Sequence, residues 1–301
     1  MKILLKNIRT FLVIFFSLVI TSMIFLGCSI NSQKEEDVSD NKKPVVAVSI
    51  VPQDTFVKAV AGDLVDTIVL VPPGNSPTNY SPSPGELEQL SQSSIYFTIG
   101  IPTETANIIP RIGNVNKDIK IIDLAAEVNR VYPDREFASG KRDPHIWLSP
   151  KRVQVMIDKI AKELAEIDPK NQTVYEVNAA EYKNKLEQLD DNISNIIQKA
   201  AGRTFIVYHP AFGYFADDYQ LDMVTIEKDG KTATAKDIEN IIDFAREQEV
   251  KIIFYQSSIT SRQADTIAAE IGGHTKVLDP LAADYIENME IMAKSFTNAI
   301  E

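Results

Sequence analysis

Short apolar runs recur along the chain from Pro44 onward, and each is followed by a turn or by a helical pattern. Residues 45–50, 67–71, 95–99 and 119–124 are such runs in the first half. They lack polar alternation, which predicts strands covered on both faces. Residues 55–61 and 86–92 carry helical spacing, and 72–84 is a loop dense in Pro, Gly, Asn and Ser. Strands alternating with helices predict parallel β-α-β units.

The pattern changes after an irregular stretch at 130–143. Pro150 suits the first turn of a helix, and Val153, Met156, Ile157, Ile160, Ala161 and Leu164 follow at helical spacing. A longer helix is expected over 169–201, with Leu186, Leu189, Ile193 and Ile197 as its apolar stripe and Gly202 at its end. The alternation then restarts. Strands are expected at 205–208, 223–226, 251–255 and 276–278, with helices at 211–219, 234–248, 261–271 and 284–300.

The expected fold is therefore α/β, with two Rossmann-like lobes of parallel sheet joined by one long helix. The expected divisions are an N-terminal lobe at 44–168, the linking helix at 169–201 and a C-terminal lobe at 202–301. Open parallel sheets bind ligands beyond the carboxyl ends of their strands, so the expected ligand cleft lies between the lobes.

The N-terminus sets an expected location. Lys2, Lys6 and Arg9 precede a stretch, 10–27, that has no charge and is mostly apolar. This is a signal-peptide pattern over 1–27, although the stretch is nearly long enough for an uncleaved anchor. Phe25-Leu26-Gly27-Cys28 resembles a bacterial lipobox, with Phe25 where Leu is usual. Cys28 is the single cysteine, so no intrachain disulfide is available. Lipid on Cys28 would anchor the chain to the outer face of the membrane. Residues 28–43, polar and poor in apolar side chains, read as a flexible tether.

Net charge is −11 for the whole chain. Since the leader carries only positive charges, the remainder is more acidic still, which argues against nucleic acid as a partner.

Three histidines make each one informative. His145 lies in Asp143-Pro144-His145-Ile146-Trp147-Leu148-Ser149-Pro150, before a helix. His209 follows the strand at 205–208, and Asp279 follows the strand at 276–278. Two imidazoles and a carboxylate from both lobes could converge on a divalent ion. Taken singly, each could equally be a packing or capping residue. His274 reads as an exposed turn residue.

The segments Asp-Pro-His-Ile-Trp-Leu-Ser-Pro, Tyr-His-Pro-Ala-Phe-Gly-Tyr-Phe and Leu-Asp-Pro-Leu occur here in one order. Together with Val71-Pro72-Pro73-Gly74 and Tyr80-Ser81-Pro82-Ser83-Pro84, they resemble the TroA-like zinc and manganese solute-binding proteins of ABC importers. The resemblance spans the chain from Pro44. It implies a metal held between two lobes, with His145, His209 and Asp279 at the second, third and fourth ligand positions. It further implies delivery of the ion to a membrane permease and its ATPase by a monomeric, lipid-anchored protein. Histidine rather than glutamate at the third position resembles the zinc-type pattern, with Mn2+ less favoured than Zn2+.

The chain departs from the family at the first ligand, where Thr78 stands in place of histidine. A histidine-rich insertion is absent, and 255–258 lacks a proline the family often has. Water or the Asn79 oxygen could complete a three-ligand zinc site. The alternatives are another cation, or loss of metal in favour of another ligand or an adhesive role. An enzyme is not expected. Two histidines and a carboxylate also suit an iron oxygenase or a zinc hydrolase. However, Ser258 and Ser261 lack a nucleophile-elbow setting, and Glu104 reads as a first-turn helix residue.

Overall fold

The computed structural model describes residues 43–228, 230–257 and 262–300. The leader, Cys28, the tether, Ser258 and Ser261 lie outside the described residues.

The first sheet comprises β1 (Val45–Val48), β2 (Asp66–Val69), β3 (Ile95–Thr98) and β4 (Lys120–Asp123). All are parallel, in the order β2-β1-β3-β4. Its helices are α1 (Val51–Ala61), α2 (Pro84–Leu90), α3 (Ile109–Val115) and α4 (Leu124–Asn129). Two helices follow, α5 (Pro150–Ile167) and the 27-residue α6 (Gln172–Gln198).

The second sheet comprises β5 (Thr204–Val207), β6 (Asp222–Thr225), β7 (Ile252–Gln256) and β8 (His274–Leu278). It is also parallel, in the order β6-β5-β7-β8. Its helices are α7 (Gly213–Tyr219), α8 (Ala235–Glu247), α9 (Arg262–Glu270) and α10 (Tyr285–Thr297). The two sheets thus repeat one strand order. The expected two-lobe α/β architecture with a long joining helix is what the chain adopts.

One face of α6 buries Tyr175, Ala179, Tyr182, Leu186, Leu189, Ile193 and Ile197, the three-and-four spacing of a helix packed on one side. That stripe joins the main core, which runs from the first lobe through α5 and α6 to Phe205, Phe212, Phe215 and Phe296 of the second. Within this core Phe205 stacks on Phe296 at 4.1 Å.

Several boundaries differ from the sequence reading, each for a local reason. Helix α1 begins at Val51 rather than at 55. The Gln53 side-chain oxygen accepts the Ser49 and Ile50 N–H groups at 3.0 and 3.2 Å, and its nitrogen donates to the Phe97 carbonyl at 3.0 Å. This satisfies the end of a helix four residues earlier than its apolar pattern suggests. His274 is exposed as expected, but it opens β8 instead of sitting in a turn, and its N–H donates to the Lys251 carbonyl at 2.9 Å. The preceding Gly273 allows that approach, since a Cβ there would lie 2.0 Å from the Lys251 oxygen.

In a sheet of this order the chain leaves the first strand in one direction and returns to its other side. The crevice beyond the ends of β1 and β3, and likewise of β5 and β7, is the topological switch point. In the first lobe this crevice is filled. Glu104, buried after β3, accepts the Ile99 and Gly100 N–H groups at 2.8 and 2.7 Å, and the Ser49 hydroxyl donates to it from the end of β1. The Tyr96 hydroxyl meets Ser49 at 2.8 Å.

Glu104 is therefore an interior group and does not face the cleft. Burial pushes its carboxyl up to about 7, against the opposing pull of its three hydrogen-bond donors. A carboxyl raised in the folded state favours folding below its unfolded value near 4.5, and that contribution is lost as pH rises through about 7. The shift corresponds to roughly 3 kcal/mol. Between pH 4.5 and 7.5, urea unfolding should show wild type losing about that much stability relative to Glu104→Gln. A pH-independent difference would contradict this assignment.

Candidate metal site between the lobes

His145 sits at the start of a short 3-10 turn, Ile146–Leu148, just before α5. Ser149 and Pro150 fix the start of α5, since the Ser149 hydroxyl accepts the Arg152 N–H at 3.3 Å. Asp143 holds His145 twice, accepting its N–H at 3.0 Å and facing its Nδ1 at 2.7 Å. Asp143 is fully buried and is itself paired with Arg135 at 3.1 Å. Arg135 in turn reaches Asp217 of the second lobe at 3.1 Å.

His209 leaves the end of β5, and its Nδ1 lies 3.1 Å from Glu227, a buried carboxylate that follows β6. The two imidazole rings meet at 5.3 Å, inclined by 76°.

A carboxylate at Nδ1 sets the tautomer with the proton on that nitrogen and leaves Nε2 as the lone-pair atom. Burial lowers the pKa of His145, with Asp143 opposing and His209 adding to the lowering. A neutral ring with a free Nε2 is the form that ligates metal.

Both histidines line one small cavity, together with Ser76, Pro77, Thr78, Trp147, Gln256 and Pro280. Its free volume is about 20 Å³, room for one water-sized occupant. The donor set and the size therefore fit a bare ion.

Asp279 is placed differently. Its carboxylate accepts the Leu281 N–H at 2.9 Å, closing a turn. It lines an adjoining cavity with Asn75, Ser257 and Ala283, which shares Pro280 and Leu281 with the histidine cavity. The fold thus brings His145 and His209 together. Among the described residues, no three His, Cys, Asp or Glu side chains converge as a metal-binding group. Thr78 borders the histidine cavity and Asn79 does not.

Three contributors escaped the sequence reading. Asp143 stood two residues from His145 in the quoted motif, so its proximity was visible. Glu227 was visible only as a charge directly after an apolar strand. Gln256 lies in 255–258, where the sequence departs from the family by lacking a proline, but nothing there marked Gln256 itself, and the expected strand stopped one residue before it. Removing the carboxylate behind each ring should weaken the site through its orientation. Glu227→Gln and Asp143→Asn are each expected to lower zinc affinity about 10- to 100-fold, read by competition with a chromogenic chelator. Unchanged affinity in both would show that the carboxylates do not orient the rings.

The family model described as zinc-uptake complex component A, periplasmic, matches residues 46–299. The high-affinity zinc uptake system protein ZnuA of Bacillus subtilis (strain 168) is 28% identical over 271 residues, covering 86% of this chain and 85% of that protein. A putative metal-binding protein of Chlamydia trachomatis serovar D is 30% identical over 280 residues, covering 92% and 98%. The manganese ABC transporter substrate-binding lipoprotein PsaA of Streptococcus pneumoniae serotype 4 is 28% identical over 309 residues, covering 98% and 91%. Among solved structures, a crystal structure of ZnuA superposes with a TM-score of 0.82 at 37% identity, covering 86% of this chain and all of that one. With two lobes of parallel sheet, a paired-histidine cleft and a family match over nearly the whole described chain, this protein belongs to the ZnuA family of metal-binding proteins.

Proposed function

We propose that the chain captures a divalent metal ion between its lobes and hands it to the permease of an ABC importer, with zinc as the preferred ion. The observation that carries this reading is the pair of facing imidazoles, each backed by a carboxylate, around space for one ion. His145 and His209 bind through Nε2, and Asp279, which follows β8 and lines the adjoining cavity, supplies a carboxylate once it leaves its turn with Leu281. Two nitrogen donors suit zinc better than manganese, which prefers oxygen. Family membership supports the importer role, because the relatives include both zinc and manganese uptake proteins.

Lipid on Cys28 holds the protein at the outer membrane face as a monomer. The lobes are already tied by the Trp147 indole to the Pro280 carbonyl at 2.8 Å, and by Thr55 to the Ala283 carbonyl at 2.8 Å. Capture then needs only a small adjustment of side chains at the cleft.

A cell lacking this chain and starved by a chelator is the test. Re-expression should restore growth at low added zinc, and a His145→Ala, His209→Ala variant should not. Equal rescue by the variant would remove metal delivery from the account.

A further inference from the structure

Gln256 ends β7, the strand that lies between β5 and β8. His209 follows β5 and Asp279 follows β8, so the three side chains leave three neighbouring strand ends. Gln256 pairs in register with Leu278, the residue before Asp279. The crevice between β5 and β7 is the switch point of the second lobe. In the first lobe the matching crevice is closed by Glu104 and Ser49. Here it holds a cavity lined by both histidines and by Gln256.

The Gln256 side chain is 8% exposed, and its buried amide nitrogen has no hydrogen-bond partner. Among the described residues, it is the one unpartnered buried polar atom whose residue lines the histidine cavity. A glutamine amide carries two donors and a carbonyl acceptor, and a buried amide nitrogen without a partner opposes folding. An apolar residue would fill that place at lower cost. The group therefore awaits a partner that enters the cavity. Half a turn of the amide exchanges its oxygen and nitrogen, two atoms that are not distinguished by shape.

We propose that Gln256 is a ligand of the captured ion, its side-chain carbonyl oxygen taking the coordination position that Thr78 does not fill. This rests on the metal-capture reading above. With two imidazoles and one carboxylate, an amide oxygen completes four donors, the number zinc takes in closed sites. Because the amide is neutral, it adds no charge to the site. A carboxylate in its place adds one negative charge and a harder donor, which favours manganese. Gln256 is thereby a selectivity residue as well as a ligand.

The test uses the full chain, stripped of metal and titrated calorimetrically with zinc and manganese. Gln256→Leu keeps the size and removes the amide. It should weaken zinc binding tenfold or more, while the urea midpoint of the metal-free protein does not fall. Gln256→Glu should bind zinc and raise the manganese-to-zinc affinity ratio at least tenfold. A packing role would instead lower the metal-free midpoint of Gln256→Leu and leave zinc affinity unchanged, which would overturn the proposal. If Gln256→Leu does not fold, an unchanged metal ratio in Gln256→Glu overturns it alone. Wild type that binds neither ion sinks the capture reading itself. Wild-type binding matched by Gln256→Leu removes only the role of Gln256.

Discussion

Replacing Trp147 with alanine is expected to cost about 3–5 kcal/mol of stability, the range for truncating a large buried aromatic. The side chain is 1% exposed and belongs to the core that runs through both lobes. Its indole N–H donates to the Pro280 carbonyl across the cleft at 2.8 Å. Its own carbonyl accepts the Tyr285 hydroxyl at 2.8 Å. Truncation leaves a void and strands the Pro280 oxygen, so a transfer loss, a cavity and an unmatched acceptor act together. The ring also packs at 5.2 Å from His145, so metal affinity should fall in the same variant. Urea unfolding with the two-state slope held fixed measures the first effect. A loss below about 1 kcal/mol would mean that the lobes do not depend on this contact.

The second large effect is on binding. His145→Ala should weaken zinc binding more than 100-fold, a loss above about 2.7 kcal/mol, and the double variant with His209→Ala should show no measurable binding. The fold should survive the change at 145. Asp143 still accepts the backbone N–H of residue 145 at 3.0 Å and keeps its pairing with Arg135. Loss of metal with a retained unfolding midpoint separates a ligand from a structural histidine. Retained zinc affinity in the double variant would place the site elsewhere.

The architecture was legible because its signal is local. Runs such as Val45–Val48 and Ile252–Gln256 are nearly continuous apolar segments, and a strand buried on both faces needs no more than that. The 3.6-residue stripe of α6 was readable for the same reason. Helix ends were less so, since α1 starts where Gln53 bonds to Phe97, a residue 44 positions away. No local pattern reports such a contact.

The site divided along the same line. His145 and His209 stood out as rare residues beside element ends, and they meet in the fold. Asp279 stood out equally, yet its turn with Leu281 sets it beside the adjoining cavity. Whether a side chain points into one pocket or its neighbour depends on a backbone turn that spacing does not encode. Glu104 shows the converse. Its place after a strand suggested a first-turn helix residue, and it is one, but its inward side chain, bonded to Ser49 that the β1–β3 pairing brings close, left no local signal. Gln256 was silent for a related reason. A polar residue at a strand end is ordinary in sequence, and only the three-dimensional surroundings reveal that its amide nitrogen is unmatched.

Calorimetric titration of the metal-free full chain with zinc tests the central claim most directly. The account predicts saturable binding of one ion per chain, tighter than the binding of manganese measured in the same way. Absence of binding for both ions would contradict metal capture by the paired histidines.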